Sequence, residues 1–411
     1  MFRYRYVVAI MGLLTYINLF QVRMSLYLAM ISMQNTTQFN WTETDQSTLM
    51  SSYFYGYSSL MIFSGSIIAL LGQKTIVVGS SVLAGLGSLI FPWIIHCSFT
   101  AACVLQVAMG LSHTSLMPAL QAILIPWAPQ HESAKFFFVQ GSGTMIGTIS
   151  ALYLGGPFIN AFGWENLFIA SGISSIIMGF TYQLLVEVNP ESSKFVSKEE
   201  ILYIQQHRLD TTIASKSKTN IPYIKILTSK PIWSVNIAFS TFSVMHVLFA
   251  TLMPKYLTDQ LDVDLTFAGQ LTTIPQVVEF VTCLVTTFIA DWLLTKNLSV
   301  KSVRRGLMIF AQFVPGVLCI IFTKVSGLTA TMVFSTLILS MSGVQLSGAF
   351  LNINELCPAY AAAGMAVAGT LANVSGTALI QLCGPILNKW GNTQATWKTI
   401  FISMGAYNIL G

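Results

Sequence analysis

Apolar and polar residues along this chain fall into long blocks rather than the short periods of a soluble fold. Runs of about 20 mostly apolar residues, the length that crosses a hydrocarbon core as a helix, recur near residues 7–33, 48–71, 75–95, 99–125, 136–159 and 166–186. A second set recurs near 232–257, 267–290, 305–323, 328–352, 359–387 and 397–411. The stretch from Thr75 to His131 carries no Asp, Glu, Lys or Arg, and the polar turn His96-Cys97-Ser98 divides it into two spans. The last run has 15 residues before the sequence stops and reads as a span cut short. The first run, Val7 to Met33, is too long for a cleavable signal peptide and lacks a small-residue cleavage site, so it reads as the first span.

Between the two sets lies a hydrophilic stretch from about Glu187 to Lys230, with Lys194, Lys198, Glu199, Glu200, Arg208, Asp210, Lys216 and Lys218. Within it, Ser197-Lys-Glu-Glu sets a Ser cap three residues before Glu200, which predicts a short surface helix. The expected organisation is a six-helix bundle over 1–186, a cytoplasmic connector over 187–231 and a second six-helix bundle over 232–411. Six spans plus six around a charged connector is the outline of a two-bundle transporter. The repeat between the halves is visible only in the span count.

Composition supports lipid as the main solvent. Hydrophobic residues make up 54% of the 411 positions and charged residues 9%, against about 25% charged in an ordinary soluble domain. The net charge of +5 says little about nucleic acid, because the basic residues are scattered through short loops and the connector. Their distribution sets the expected orientation. With the amino terminus inside, the inner segments hold Arg3, Arg5, Lys74, Lys135, seven connector Lys/Arg, Lys296, Lys301, Arg304 and Arg305, and the outer ones hold Lys255, Lys324, Lys389 and Lys398. Fifteen against four places both termini in the cytoplasm. The triplets Asn35-Thr-Thr and Asn40-Trp-Thr then lie in an outer loop and fit the glycosylation pattern.

A charge at mid-bilayer is costly and normally faces a bundle interior or a wet cavity. Arg23, His113, His246 and Glu279 come to similar depth in spans 1, 4, 7 and 8 of a chain that otherwise keeps charge out of its spans. Arg23 keeps its proton, so two roles are open: a guanidinium fork for a substrate carboxylate, sulfonate or phosphate, or one half of a structural bridge to Glu279. Glu279 is a candidate for carrying a proton or cation, or a carboxyl paired for structure. His113 and His246 are candidates for proton transfer, or polar lining residues. Tyr57, Gln106, Gln276, Gln345 and Asn352 are further polar groups that a cavity or a helix contact would use. The small residues Gly141-Ser-Gly-Thr, Gly147-Thr-Ile-Ser-Ala and Gly155-Gly156-Pro157 read as packing surface. Cys97, Cys103, Cys283, Cys319, Cys357 and Cys383 lack metal-ligand spacing, and no phosphate loop is present, so no cofactor, metal or built-in ATP hydrolysis is expected, and the chain does not read as an enzyme.

Several segments together resemble a known family. They are Arg23-Met-Ser-Leu-Tyr-Leu-Ala-Met-Ile-Ser-Met, Ser51-Ser-Tyr-Phe-Tyr-Gly-Tyr57, Gly110-Leu with Pro118-Ala, and Trp127-Ala-Pro-Gln-His-Glu-Ser133. Further along come Gly163-Trp164, Leu227-Thr-Ser-Lys-Pro-Ile-Trp233, Pro254-Lys-Tyr256, Ala290-Asp-Trp-Leu293 and Leu351-Asn-Ile-Asn-Glu-Leu-Cys-Pro358. In order and spacing, from Tyr16 to Gly411, the chain is similar to the anion:cation symporter group of the major facilitator superfamily. The resemblance implies an all-α membrane protein of the major facilitator superfamily fold, alternating access between two bundles, an organic anion or phosphate as substrate, and protons, sodium or membrane potential as driver. The family's span-1 Arg maps onto Arg23. Elsewhere the chain departs from the pattern: Gln106 stands where relatives have an Arg, His113 where they have a Glu, Phe242 where some have an Arg and Gln276 where those have a His. Glu279 replaces an apolar residue, Ala69 a loop Asp, and Glu355 an Asp.

The leading expectation is therefore a monomeric secondary transporter in which Arg23 meets an anion and coupling rests on His113 or Glu279. A transporter-like solute receptor that does not cycle and an inactive paralogue are the competing readings. Plasma membrane and lysosomal or vesicular membrane stand equally open.

Overall fold

The computed structural model describes residues 3–35, 39, 41–129, 132–207, 228–296, 299–356 and 361–411. Every regular element among them is helical. In chain order they are α1 (Tyr4–Asn35), α2 (Glu43–Ser59), α3 (Ser64–Leu71), α4 (Gln73–Cys97), α5 (Phe99–His113), α6 (Leu116–Leu124), α7 (Ser133–Phe162), α8 (Trp164–Leu185) and α9 (Lys198–His207). There follow α10 (Lys230–Val247), α11 (Met253–Leu261), α12 (Leu265–Thr295), α13 (Val300–Phe322), α14 (Leu328–Leu356), α15 (Ala361–Trp390) and α16 (Gln394–Leu410). Eleven stretches among the described residues are long and apolar enough to cross a membrane, and they fall on the first eleven expected spans. The twelfth, α16, has 17 residues.

Three of these spans are not continuous α-helices. Span 2 breaks at Leu60 into a single tight turn, Met61–Phe63, before α3. Span 4 breaks between α5 and α6, at Thr114 and Ser115. Span 7 passes from α10 to α11 through a π-helical turn, Leu248–Leu252. The apolar runs hide all three breaks, because hydropathy counts residues and is blind to the hydrogen-bond register.

The chain gathers into two compact units, Met1–Leu26 with Tyr55–Ala151 and Ala161–Thr219, and Tyr27–Phe54 with Leu152–Asn160 and Asn220–Gly411. In the first, α4 and α8 approach with almost no side chain between them. A Cβ added at Gly85 would lie 2.8 Å from the Gly172 carbonyl, and one at Gly172 would lie 2.7 Å from the Gly85 carbonyl. The hydroxyls of Ser88 and Ser175 bond across the same seam, to the carbonyls of Phe168 and Ser81, both at 2.9 Å. Small residues at such seams let backbones make the dispersion contacts that drive helix association in lipid. In the second unit, α13 and α16 repeat the device. A Cβ at Gly316 would lie 2.9 Å from the Gly405 carbonyl, and one at Gly405 would lie 2.8 Å from the Gly316 carbonyl. Spans 3 and 6 thus pair as spans 9 and 12 do, a residue-level repeat that the sequence conceals because the flanking residues differ. Gly85→Val and Gly316→Val should each destabilise the protein by about 1–3 kcal/mol, as overpacking of a tight contact does. The thermal unfolding midpoint of purified protein in detergent checks this.

The predicted surface helix forms as α9, with Ser197 Oγ accepting the Glu200 amide at 3.2 Å. It docks on the start of α1. The Glu200 carboxylate accepts the Tyr4 and Arg5 amides, at 2.8 and 3.1 Å, which satisfies two otherwise unpaired N–H groups of that helix end. Arg5, 1% exposed, bridges to Glu132 at 3.0 Å and lies 4.7 Å from the Tyr203 ring centroid. Nearby, Lys74 pairs with Glu187 at 2.9 Å, and Trp127 Nε1 donates to the Glu187 carbonyl. The charges of the connector's first part are therefore used to fix helix ends.

Candidate functional site

In the first unit the guanidinium of Arg23 lies over two rings, 5.4 Å from the Phe20 centroid and 5.6 Å from that of Tyr57. Arg23 is partly buried in the middle portion of α1. Phe20 is one turn earlier on the same helix, while Tyr57, 3% exposed, comes from α2 just before that span breaks. A ring face attracts a guanidinium through its quadrupole and still leaves the fork's edge for an acceptor. The Tyr57 hydroxyl donates to Met117 Sδ at 3.3 Å, and the Thr114 hydroxyl donates to the Tyr57 carbonyl at 3.1 Å. The broken part of span 4 is therefore fastened to the broken part of span 2.

His113 is the last residue of α5, 1% exposed and within electrostatic reach of Arg23. Gln106, 3% exposed, lies two turns earlier on the same face of that helix. Close approach is needed here: a Cβ on Gly56 would collide with the Val107 carbonyl and lie 2.9 Å from the Leu111 amide nitrogen. Arg23, Tyr57 and His113 are thus brought together within one unit.

In the second unit His246 and Glu279 form a pair. His246 Nδ1 lies 3.5 Å from Glu279 Oε2, an ion-pair separation rather than a closed hydrogen bond. The Glu279 side chain is 0% exposed and the His246 side chain 23%. Phe242, one turn before His246, stacks on its ring with centroids 5.9 Å apart. Across from Glu279 stands Gly343, where a Cβ would lie 2.9 Å from Glu279 Cγ. Among the described residues, neither carboxylate oxygen of Glu279 accepts a hydrogen bond, and neither amide atom of Gln276, one turn away and 0% exposed, has a hydrogen-bond partner. Leaving such groups unpaired in an apolar interior costs several kcal/mol unless a guest or a proton satisfies them. The π-helical turn begins two residues after His246, and such turns concentrate at functional sites.

The remaining sequence candidates are distributed as follows. Gln345, 2% exposed, donates to the Ala238 carbonyl and so holds α14 to α10. Asn352 falls on α14, but its side chain lies outside the described residues, as does that of Asn35 at the end of α1, and Asn40 lies outside them altogether. Glu279, which the sequence offers as a bridge for Arg23, has His246 as its partner. Two groups escape the sequence reading. Asn236, 1% exposed on α10 with neither amide atom hydrogen-bonded among the described residues, is one polar residue in an apolar run and gives that as its only signal. Lys255 counts in the sequence as one of four outer basic residues and as part of the Pro254-Lys-Tyr256 segment, with no partner suggested for it, yet it is 6% exposed.

Among the described residues no group of three or more His, Cys, Asp or Glu side chains could hold a metal ion.

Comparison with known proteins agrees with this architecture. A model described as Major Facilitator Superfamily matches residues 12–380. Human sialin is 25% identical over 387 residues, covering 92% of this chain and 76% of its own length. Mouse sodium-dependent phosphate transport protein 1 is 23% identical over 374 residues, covering 90% of this chain and 79% of its own. Among solved structures, a bacterial homologue of the human lysosomal transporter Spinster, inward-facing and unoccupied, superposes with a TM-score of 0.77 at 12% identity, covering all of this chain and 96% of that one.

Proposed function

Because the chain belongs to the Major Facilitator Superfamily, we propose that it is a secondary transporter of a small organic anion or phosphate, with Arg23 as the anion-binding cation and the Glu279–His246 pair as the proton-coupling site. The relatives support the transporter class and the anionic cargo, and the departures from the family pattern at Gln106, His113 and Gln276 direct attention to Glu279 for coupling. The observation that carries the reading is the lodging of Arg23. A guanidinium is held against two aromatic rings, next to the irregular backbone of spans 2 and 4. Irregular backbone at membrane depth is tolerated where it is covered by protein or lines a water-filled cavity. A carboxylate, sulfonate or phosphate is the natural counter-charge for a guanidinium fork there.

Tyr57 and Gln106 complete the anion site in this reading, with His113 as a hydrogen-bonding neighbour, and Gln276 and Asn352 serve the second half. His246 is the accessible member of its pair and hands protons to the sealed Glu279. His246→Gln should therefore slow proton-driven uptake by about 100-fold, the scale of a lost general acid–base step, without changing the final accumulation ratio. Uptake time courses in proteoliposomes under an imposed pH gradient test this, and a changed ratio with an unchanged rate would contradict it. Sodium is the second reading for the same pair, favoured by the three oxygens of Glu279 and Gln276 that accept no hydrogen bond among the described residues. Dependence on a sodium gradient in place of the pH gradient would select it.

We place both termini in the cytoplasm on the distribution of Lys and Arg, which puts the 1–2, 7–8 and 11–12 connections at the outer face. The halves 1–186 and 232–411, joined by the connector 187–231, are proposed as the two alternating bodies, working as a monomer. Asn35 and Asn40 are then outer-face candidates for glycan attachment.

A further inference from the structure

Lys255 on α11 is 7% exposed at its side chain, and four oxygens surround its ammonium. Gln34 Oε1 lies at 2.7 Å, Asp259 Oδ2 at 3.2 Å, Glu43 Oε2 at 3.3 Å and Gln46 Oε1 at 3.3 Å. Gln34 ends span 1, and Glu43 and Gln46 begin α2; all three belong with Lys255 to the second compact unit. The cluster therefore ties the ends of spans 1 and 2 to the end of span 7. The same face of α2 is seated on α15. Ser51 Oγ meets Gln381 Oε1 at 2.5 Å, and a Cβ on Gly384 would lie 2.6 Å from the Glu43 carbonyl.

The two carboxylates are not equivalent. Asp259 is one turn from Lys255 on the same helix and travels with it. Its Oδ2 also accepts Asn392 Nδ2 at 2.7 Å, and Asn392 Oδ1 accepts Trp397 Nε1 at 2.8 Å and Gln260 Nε2 at 3.0 Å. Glu43 comes from a different segment. Its side chain, 16% exposed, borders a cavity of about 270 Å³ that Met30, Gln34, Trp41, Gln46 and Asn388 also line. That space can hydrate a carboxylate that lets go, whereas Asp259 is clamped.

We propose that this cluster is a latch on the transport cycle at the outer face, in which Asp259 is the permanent counter-ion of Lys255 and Glu43 the detachable one. When Glu43 leaves, Lys255 keeps a neutralising partner, so opening does not strand a buried ammonium, the event that makes most buried ion pairs costly to break. The permanent partner thus sets how readily the detachable one lets go. This assignment rests on the proposed orientation and transport role.

The two carboxylates give the test opposite signs. In lipid nanodiscs without added solute, hydrogen–deuterium exchange of amides 44–54 reports opening of this end of α2. Glu43→Gln should speed that exchange by about tenfold, the effect of losing one member of a close charge pair. Asp259→Asn should leave it unchanged or slow it, since Lys255 then depends on Glu43 alone. Lys255→Gln should match Glu43→Gln, with no further gain in the double variant, and this serves as the second measurement should Glu43→Gln fail to fold. Equal acceleration by both carboxylate variants, no acceleration by either, or additive effects of Lys255→Gln and Glu43→Gln would overturn the latch. The exchange needs no substrate, so these failures are distinct from a failure of the anion assignment, which uptake measurements read.

Discussion

Replacing Arg23 by glutamine should abolish saturable anion uptake by the reconstituted protein, with an affinity loss of about 30-fold to several thousand-fold, the range for removing one partner of a desolvated charge pair. The guanidinium lies against the Phe20 and Tyr57 rings. An anion entering the membrane region loses hydration, and a guanidinium fork replaces part of it with two charge-assisted hydrogen bonds. Glutamine keeps some of the volume and hydrogen bonding but not the charge. Arg23→Lys should recover part of the uptake, because the point charge returns while the planar fork and its ring stacking do not. Unchanged thermal unfolding of both variants would separate lost binding from lost fold. A glutamine variant that transports anions with wild-type saturation would remove Arg23 from the binding role.

Glu279→Gln should uncouple transport from protons while leaving exchange of substrate between the two sides. One coupled proton and a gradient of one pH unit support about tenfold accumulation, since each unit is worth 1.36 kcal/mol. In the glutamine variant the ratio should fall to equality with the bath. The reason is local: the Glu279 carboxyl is sealed, and among the described residues His246 Nδ1 at 3.5 Å is its one ion-pair contact and neither oxygen accepts a hydrogen bond. A group so placed changes its local charge balance completely when it takes up a proton. Counterflow with equal substrate on both sides should persist, because glutamine mimics the protonated acid in shape and neutrality. Retained tenfold accumulation in the variant would move coupling away from this residue.

The helical scaffold was legible because its cause is one-dimensional: a hydrocarbon core demands long apolar segments, and their number and spacing survive without knowledge of contacts. Arg23, His113, His246 and Glu279 were legible for the same reason, as charged or titratable residues inside apolar runs. Pairing was not. Nothing in the order of residues links His246 to Glu279, 33 positions away, until the fold brings their side chains to 3.5 Å. Hydropathy does not mark the breaks beside Tyr57, His113 and His246, although Pro118 and Pro254, which lack the N–H that would donate to the Thr114 and Ala250 carbonyls four residues earlier, stand at two of them. Lys255 shows the opposite failure. A loop-proximal lysine reads as a topology signal, and its enclosure by Gln34, Glu43, Gln46 and Asp259 depends on three segments meeting. The Gly85–Gly172 and Gly316–Gly405 contacts were lost among the chain's 29 glycines, since only the reciprocal approach distinguishes them.

The most direct test of anion transport is uptake by the purified protein in proteoliposomes, using labelled phosphate, mono- and dicarboxylates and sulfonates alongside neutral analogues of the same size, with an inward-directed pH gradient. Saturable uptake of at least one anion, accumulation that follows the gradient, and no comparable movement of its neutral analogue are predicted. Equal movement of the neutral analogue, or binding of an anion without any flux, would contradict the account.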